Sequence, residues 1–448
     1  AAGLAGDHLA RSPFCRRHRR GDSRAGTRVR GAGLLRILNI SAQKPDSTGS
    51  GTYLAALVAS QIAAGHEAAV LCGAAPGDTQ GELDPAARVF TVPFETPELP
   101  FRICGMSDVM PYPSTRYRDL TPAMAAAFEQ AFGAAIDHAV AAFKPDAIIC
   151  HHLYLLCALV RERVRGIPVC GMCHSTDIRQ MRTHGLAHDR IVAAVRCLDA
   201  VFSLHTEQAE ETEHVYGVDP SRIHVIGTGY DHRVFCRDAQ TAKVLGSLVF
   251  VGKVCVKKGV ESLVHAMGRF GEDSDAAYKV RPSRLLLVGG HGDTDEYERI
   301  ARAARDSPVP VELAGRLSRD ELVRAYREAE VFVLPSFYEG LPLVPIEAMA
   351  CGCKVVMTDL PGVRPWIEAT LPGAPVTWVT PPRMTDVDTP NVLDCPRFEH
   401  ALADAVARSL AEPISSFDPS AVSWDACWAR ILEQLSNLKG GIDGRGHD

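Results

Sequence analysis

The stretch Pro335-Ser336-Phe337-Tyr338-Glu339-Gly340-Leu341-Pro342-Leu343-Val344-Pro345-Ile346-Glu347-Ala348-Met349-Ala350-Cys351-Gly352 carries one carboxylate at each end of a change in local order. Just before it, Val331-Phe332-Val333-Leu334 is short and apolar, the pattern of a strand buried on both faces of a parallel sheet. Pro335-Ser336 turns the chain. Gly340 lets the backbone approach a ligand, and Pro342 suits the first turn of a helix, where free amides attract anions. Strand, turn and helix in this order predict a ligand beyond the strand's carboxyl end, beside a junction that carries Glu339 and Glu347. For either glutamate alone, a solvated surface carboxylate is the plainer reading.

The same alternation runs along the chain. Leu35-Arg36-Ile37-Leu38-Asn39-Ile40-Ser41 reads as a first strand, residues 52–64 as a helix and residues 66–72 as a second strand. Residues 145–150, 167–173, 201–204 and 223–226 read as further strands, with a helix over 153–165. After a polar linker at 236–247, a second series starts at Leu248-Val249-Phe250-Val251 and continues at 285–288, 311–313, 331–334 and 354–357. Strands alternating with helices imply parallel sheets with covered faces and right-handed crossovers. The expected class is therefore α/β, with two Rossmann-like, doubly wound domains (33–235 and 248–420) facing a central cleft. A C-terminal helix at 421–436 and a flexible tail at 437–448 complete the expected organisation.

Composition sets the outer limits. A chain of 448 residues with 46% hydrophobic and 23% charged residues buries an ample core and divides into two or three domains. Its 14 cysteines are scattered through apolar runs, as buried thiols in a reducing compartment are. No apolar stretch is long enough to span a bilayer, and the first residues show no signal-peptide core, so a cytoplasmic location is expected. Residues 1–32 differ in kind: eight arginines against Asp7 and Asp22 give that arm +6 within a whole-chain charge of −6. Without apolar periodicity this arm is expected to be disordered. It reads as a dispensable extension rather than a nucleic-acid tether, and no nucleic-acid partner is expected.

Several motifs fall at the carboxyl ends of the strands. Ser47-Thr48-Gly49-Ser50-Gly51-Thr52 opens a helix, and Gly49 and Gly51 there permit close approach of a phosphate or sugar. It is not a dinucleotide fingerprint, because position 54 is Leu and the second strand ends at Cys72-Gly73 without an acidic ribose ligand. Gly252-Lys253 and Lys258-Gly259 bring two ammonium groups toward one diphosphate, although surface lysines are the commoner case. Cys173-His174-Ser175-Thr176-Asp177 follows a strand. Cys170-x-x-Cys173-His174 also has the spacing of covalent haem attachment, a reading disfavoured by its strand pattern. His151, His152 and His174 fit no known metal-ligand spacing, so no metal is expected.

Together these motifs resemble the large retaining glycosyltransferase family 4 (glycosyl transferases group 1), whose donor signature is Glu-x7-Glu between a Pro-Ser turn and Glu-Ala-Met-Ala-x-Gly. The resemblance covers about residues 34–436 and implies a GT-B architecture. It further implies transfer of a sugar from a nucleotide diphosphate to an acceptor hydroxyl, with retention, in glycan or glycoconjugate biosynthesis. It assigns Glu339, with Gly340, Leu341, Pro342 and Leu343, to the transferred sugar and Glu347 to the ribose. Lys253, where the family has Arg, and Lys258 fall to the diphosphate. Gly49 and Gly51 belong to the loop over the donor, and Arg316 and Leu317 to the base. His174 matches the histidine of the family's His-Gly-Thr-Asp turn, with Ser175 in the Gly position. Catalytic roles thus fall to His174, Glu339 and Lys258. No cofactor is implied beyond the nucleotide-sugar substrate.

The segment 101–120, with Tyr112, Arg116 and Arg118, lies where such an insertion shapes the acceptor site, and His152 at a strand end is a further acceptor candidate. A surface loop held by its prolines is the alternative. The acceptor stays open among a sugar, a lipid-linked group and a small molecule, as do peripheral membrane association and oligomeric state. A nucleotide-sugar epimerase or hydrolase, and a non-catalytic binding subunit, are the competing functions. Product analysis without acceptor separates the enzymes.

Overall fold

Arg36–Ser41 is a six-residue strand buried along nearly its whole length, as a central strand with both faces covered must be. In the computed structural model, which describes residues 33–443 apart from 46, 79–80, 82, 109, 272–277, 387 and 415, this strand lies third from one edge of a seven-stranded parallel sheet. Edge to edge the order is Arg88–Pro93, Glu67–Ala74, Arg36–Ser41, Ala147–His151, Val169–Met172, Ala200–Ser203 and Ile223–Val225. A second parallel sheet follows the same plan with six strands: Val311–Gly315, Arg284–Val288, Val244–Val251, Ala329–Leu334, Lys354–Thr358 and Val376–Val379. The fold is α/β with two Rossmann-like halves. The expectations on residues 1–32 and 444–448 lie outside the described residues.

Each sheet reverses its winding once. The first does so between Arg36–Ser41 and Ala147–His151, the second between Val244–Val251 and Ala329–Leu334. At such a point the loops leave in opposite directions and open a crevice beyond the strand ends. Every motif singled out above except the base-side turn at 315–317 and the acceptor-side insertion follows one of these four strands or the strand Val169–Met172 beside them.

Two boundaries differ from the sequence reading. The strand expected from Leu248 begins at Val244, inside the segment read as linker, because Val244 already pairs with Ala329 ahead of a bulge. The C-terminal helix runs Trp424–Asp443, through residues expected to be a tail. Ile431 and Leu435 are buried and Leu438 packs on the same core, so the apolar stripe continues one turn further.

That helix ties the halves together. It packs on the helix Gly49–Ala63 of the first half, where Ser60 Oγ donates to Asp425 Oδ1 at 3.2 Å and the Tyr53 hydroxyl lies 3.2 Å from Cys427 Sγ. Arg430 Nε donates to the Ile226 carbonyl at 2.8 Å and the Trp424 amide to the Tyr230 carbonyl at 3.2 Å. A side chain at Gly229 would meet the Trp424 amide at 2.6 Å, which explains glycine in this turn. Trp428 is buried edge-on against His66, with ring centroids 5.4 Å apart. Trp428→Ala should lower the unfolding free energy by about 3–5 kcal/mol, measured by urea denaturation.

Candidate active site

The two crevices face each other across a cavity of about 520 Å³. From the first half it is lined by Gln43, Thr48, Gly49, Ser50, Tyr53, His174 and Thr176, among others. From the second come Gly252, Lys253, Lys258, the run 339–344 and Glu347. Each set is held by local chemistry. Thr48 caps the helix Gly49–Ala63, its hydroxyl accepting from the Gly51 amide at 3.1 Å.

On the opposite wall, Gly259 has φ +67° and a side chain there would stand 2.0 Å from the Pro335 carbonyl oxygen. The Phe337 amide donates to the Lys257 carbonyl at 3.0 Å. These contacts clamp the lysine loop to the Pro-Ser turn, and Lys258 Nζ donates to Glu339 Oε1 at 2.7 Å. Glu347 lies on the short helix Val344–Ala350, where the Tyr326 hydroxyl donates to its Oε2 at 3.4 Å. Burial pushes its carboxyl up to about 7. The first turn of this helix contains Pro345, so Pro342 belongs to the approach rather than to the helix.

The histidine wall is built from two strand ends. Asp177, fully buried, accepts from the amides of Leu153 at 2.8 Å and His174 at 3.2 Å and from the Cys173 thiol at 3.4 Å. One carboxylate therefore joins the turn after Ala147–His151 to the turn after Val169–Met172. His174 Nε2 lies 3.2 Å from His151 Nδ1 with the rings stacked, and Tyr53 meets His174 edge-on at 5.3 Å. Burial drives His174 down to about 3 and holds His151 and His152 well below their ordinary range, where the neighbouring imidazole adds to the effect. All three rings are neutral at pH 7. Ser175 keeps φ +67°, a conformation that favours glycine, and its hydroxyl accepts from Gln208 Nε2 at 2.6 Å.

Of the residues named from sequence, Gly49, His174, Lys253, Lys258, Glu339, Gly340, Leu341, Pro342, Leu343 and Glu347 line this one cavity. Gly51 is buried a turn inside the helix, beside the lining. Arg316 and Leu317 stand off the cavity at the end of Val311–Gly315, with Arg316 Nε 3.0 Å from where a side chain on Gly290 would begin. His152 sits one layer back, its Nε2 3.1 Å from Ser50 Oγ. Arg116 pairs with Asp119 at 2.6 Å and Arg118 with Asp108 at 2.6 Å, so both guanidinium groups are engaged within their own segment. Tyr112 carries Lys44 over its ring at 5.0 Å and does not line the cavity. The same segment does reach the cavity, through Met106, Ser107 and Met110.

Comparison with known proteins decides the family. Residues 47–234 match the family described as Glycosyltransferase Family 4, and residues 246–388 match Glycosyl transferases group 1. The chain belongs to the family 4 and group 1 glycosyltransferases. It is 30% identical over 267 residues to alpha-maltose-1-phosphate synthase of Mycobacterium tuberculosis, covering 55% of this chain and 64% of that protein. It is 30% identical over 211 residues to D-inositol 3-phosphate glycosyltransferase of Xylanimonas cellulosilytica, covering 42% and 46%. The alignments thus span less than two thirds of either relative. Among solved structures, sucrose-phosphate synthase of Thermosynechococcus elongatus superposes with a TM-score of 0.61 at 19% identity, covering 91% of this chain and 100% of that one. HepE of Anabaena in complex with UDP-glucose gives 0.57 at 14% identity, covering 90% and 100%. These likenesses establish a GT-B fold.

Among the described residues no three His, Cys, Asp or Glu side chains are grouped to hold a metal ion. Cys170 and Cys173 are fully buried in packed core, which leaves no face for a haem edge. No described helix is long and apolar enough to cross a membrane.

The neutral histidines make stability depend on pH in a definite direction. His174 takes a proton near 6.5 when unfolded and only near 3 when folded, so its contribution is complete above pH 6.5 and is lost as pH falls. Between pH 6.5 and 5 it costs about 2 kcal/mol. Asp177, pushed upward by burial, acts in the opposite sense. His174→Asn should therefore flatten the acid limb relative to wild type, in paired urea titrations at pH 7 and pH 5.

Proposed function

We propose that this chain transfers a sugar from a nucleoside diphosphate sugar to an acceptor hydroxyl, with retention at the anomeric carbon. The observation that carries this reading is the meeting of Lys258–Glu339, Lys253 and Glu347 from one half with His174 from the other around one cavity. That HepE is described in complex with UDP-glucose, and that both named relatives are sugar-handling enzymes, supports a nucleotide sugar as donor.

In this reading Glu339 accepts hydroxyls of the transferred sugar and Lys258 reaches past it to the diphosphate. As the anomeric C–O bond breaks, negative charge grows on the departing phosphate, and the ammonium groups of Lys253 and Lys258 stabilise it. The positive charge in this reading comes from the lysines, and no metal is invoked. The acceptor oxygen forms its bond on the face the phosphate leaves, and its proton passes to the departing phosphate oxygen. His174, held neutral, is a hydrogen-bond partner for the sugar rather than a proton donor. Its Nε2 faces His151, which leaves Nδ1 for the ligand. Buried thiols such as Cys104, Cys150, Cys170 and Cys173 support a reducing, cytoplasmic setting.

Three outcomes test the reading. Glu339→Ala should reduce kcat by roughly 100-fold, with the donor KM little changed. Glu347→Ala should instead raise the donor KM by about tenfold or more and spare kcat. Because Glu347 must be ionised to accept two ribose hydroxyls and titrates near 7, donor affinity should fall as pH drops below 7. Glu347→Gln should abolish that pH dependence in calorimetric titrations. Thermal-shift screening against a panel of nucleotide sugars identifies the donor. Conversion of donor without acceptor would replace transfer by epimerisation or hydrolysis.

A further inference from the structure

A second interdomain cavity, of about 640 Å³, includes Glu339 in its lining but no lysine. Glu339 lines both cavities. The partition is otherwise one contact thick: a side chain on Gly340, which faces the first cavity, would come within 3.1 Å of Ser175 Oγ, which faces the second. A ligand in the second cavity therefore shares a carboxylate with a sugar in the first.

The two walls of this cavity differ in chemistry. The helix Thr206–Tyr216 of the first half presents Glu207, Glu210 and Glu211. Against them stand Arg182, already paired with Glu211 at 2.7 Å, and His205, whose Nδ1 is 3.2 Å from Glu207. The second half presents Tyr338, Pro361 and Met384. Tyr338 and Met384 are 36% and 37% exposed, among the few large apolar side chains left open. Tyr338 makes no side-chain hydrogen bond among the described residues, so both its ring and its hydroxyl are available.

We propose that this cavity is an acceptor subsite for a neutral sugar or polyol, seated with its C–H face on Tyr338 and its hydroxyls on the helix carboxylates. Carboxylates accept hydroxyl donors strongly, and an aromatic face covers the apolar face of a pyranose. The surplus of carboxylates over Arg182 repels a phosphate or carboxylate ligand. The volume lies within the usual range of small-molecule sites. A hydroxyl of the ring so held points at Glu339 and, past it, at the sugar to be transferred. The proposal rests on the donor reading above, from which its test is separable.

The test is equilibrium binding of two probes, maltose and glucose 6-phosphate, to the full chain in the presence and absence of UDP. Maltose should bind wild type whether or not UDP is present, and glucose 6-phosphate should bind more weakly. Tyr338→Ala and, independently, the solvent-facing Glu210→Gln should each weaken maltose binding by about fivefold or more, with UDP affinity unchanged. Failure of wild type to bind maltose, equal binding by Tyr338→Ala, or preference for the phosphorylated probe would each overturn the proposal. If maltose binding depends on Tyr338 while no nucleotide or nucleotide sugar binds, the donor reading falls and the subsite stands.

Discussion

The backbone of Gly259 passes the Pro335 carbonyl so closely that no side chain fits between them, and the geometry of the donor-side wall follows from that approach. Two loops from adjacent strands become a single rigid edge, closed by the Phe337 amide on the Lys257 carbonyl. A flexible lysine and a nearby glutamate would gain little from pairing at an open surface. Here the backbone has already spent the ordering entropy, so Lys258 and Glu339 meet at 2.7 Å in a partly buried setting. The pair then presents charge at a fixed place, which electrostatic stabilisation of a leaving phosphate requires.

The opposite wall reaches the same rigidity by another route. There a buried carboxylate joins the loops, with Asp177 gathering amides from two turns and accepting from the His174 amide. The cost of burying that carboxylate is offset only in part by its several donors. The histidines it positions are desolvated enough to stay neutral, so the wall adds hydrogen bonding without adding charge beside the cationic edge.

Much of this was legible in the sequence. The strands buried on both faces, such as Val331-Phe332-Val333-Leu334, announce themselves as apolar runs, and the glutamates and lysines follow strands in a recognisable pattern. Edge strands were only partly legible: residues 223–226 and 311–313 read as strands, whereas the half-exposed edges Arg88–Pro93 and Val376–Val379 did not. The helix Pro122–Phe143 also went unread, although Thr121 accepting from the Met124 amide and Pro122 in the first turn are readable start signals. The site's first-half lining was harder still. Tyr53 reaches the cavity from one turn into a helix, and Met106, Ser107 and Met110 reach it from a segment whose conspicuous arginines are neutralised locally. Which side of a loop faces a cavity is set by packing against other elements, and no spacing rule encodes it.

The helix Trp424–Asp443 lies at the far end of the described chain yet covers the helix Gly49–Ala63 near its start. During synthesis the first half can pair its seven strands long before that cover exists. Tyr53 then lacks Trp424 and Cys427, and His66 lacks Trp428, until the whole second half has emerged. The last described helix thus completes the packing of the first, so the order in which the parts meet, and not only the final geometry, is written into its return.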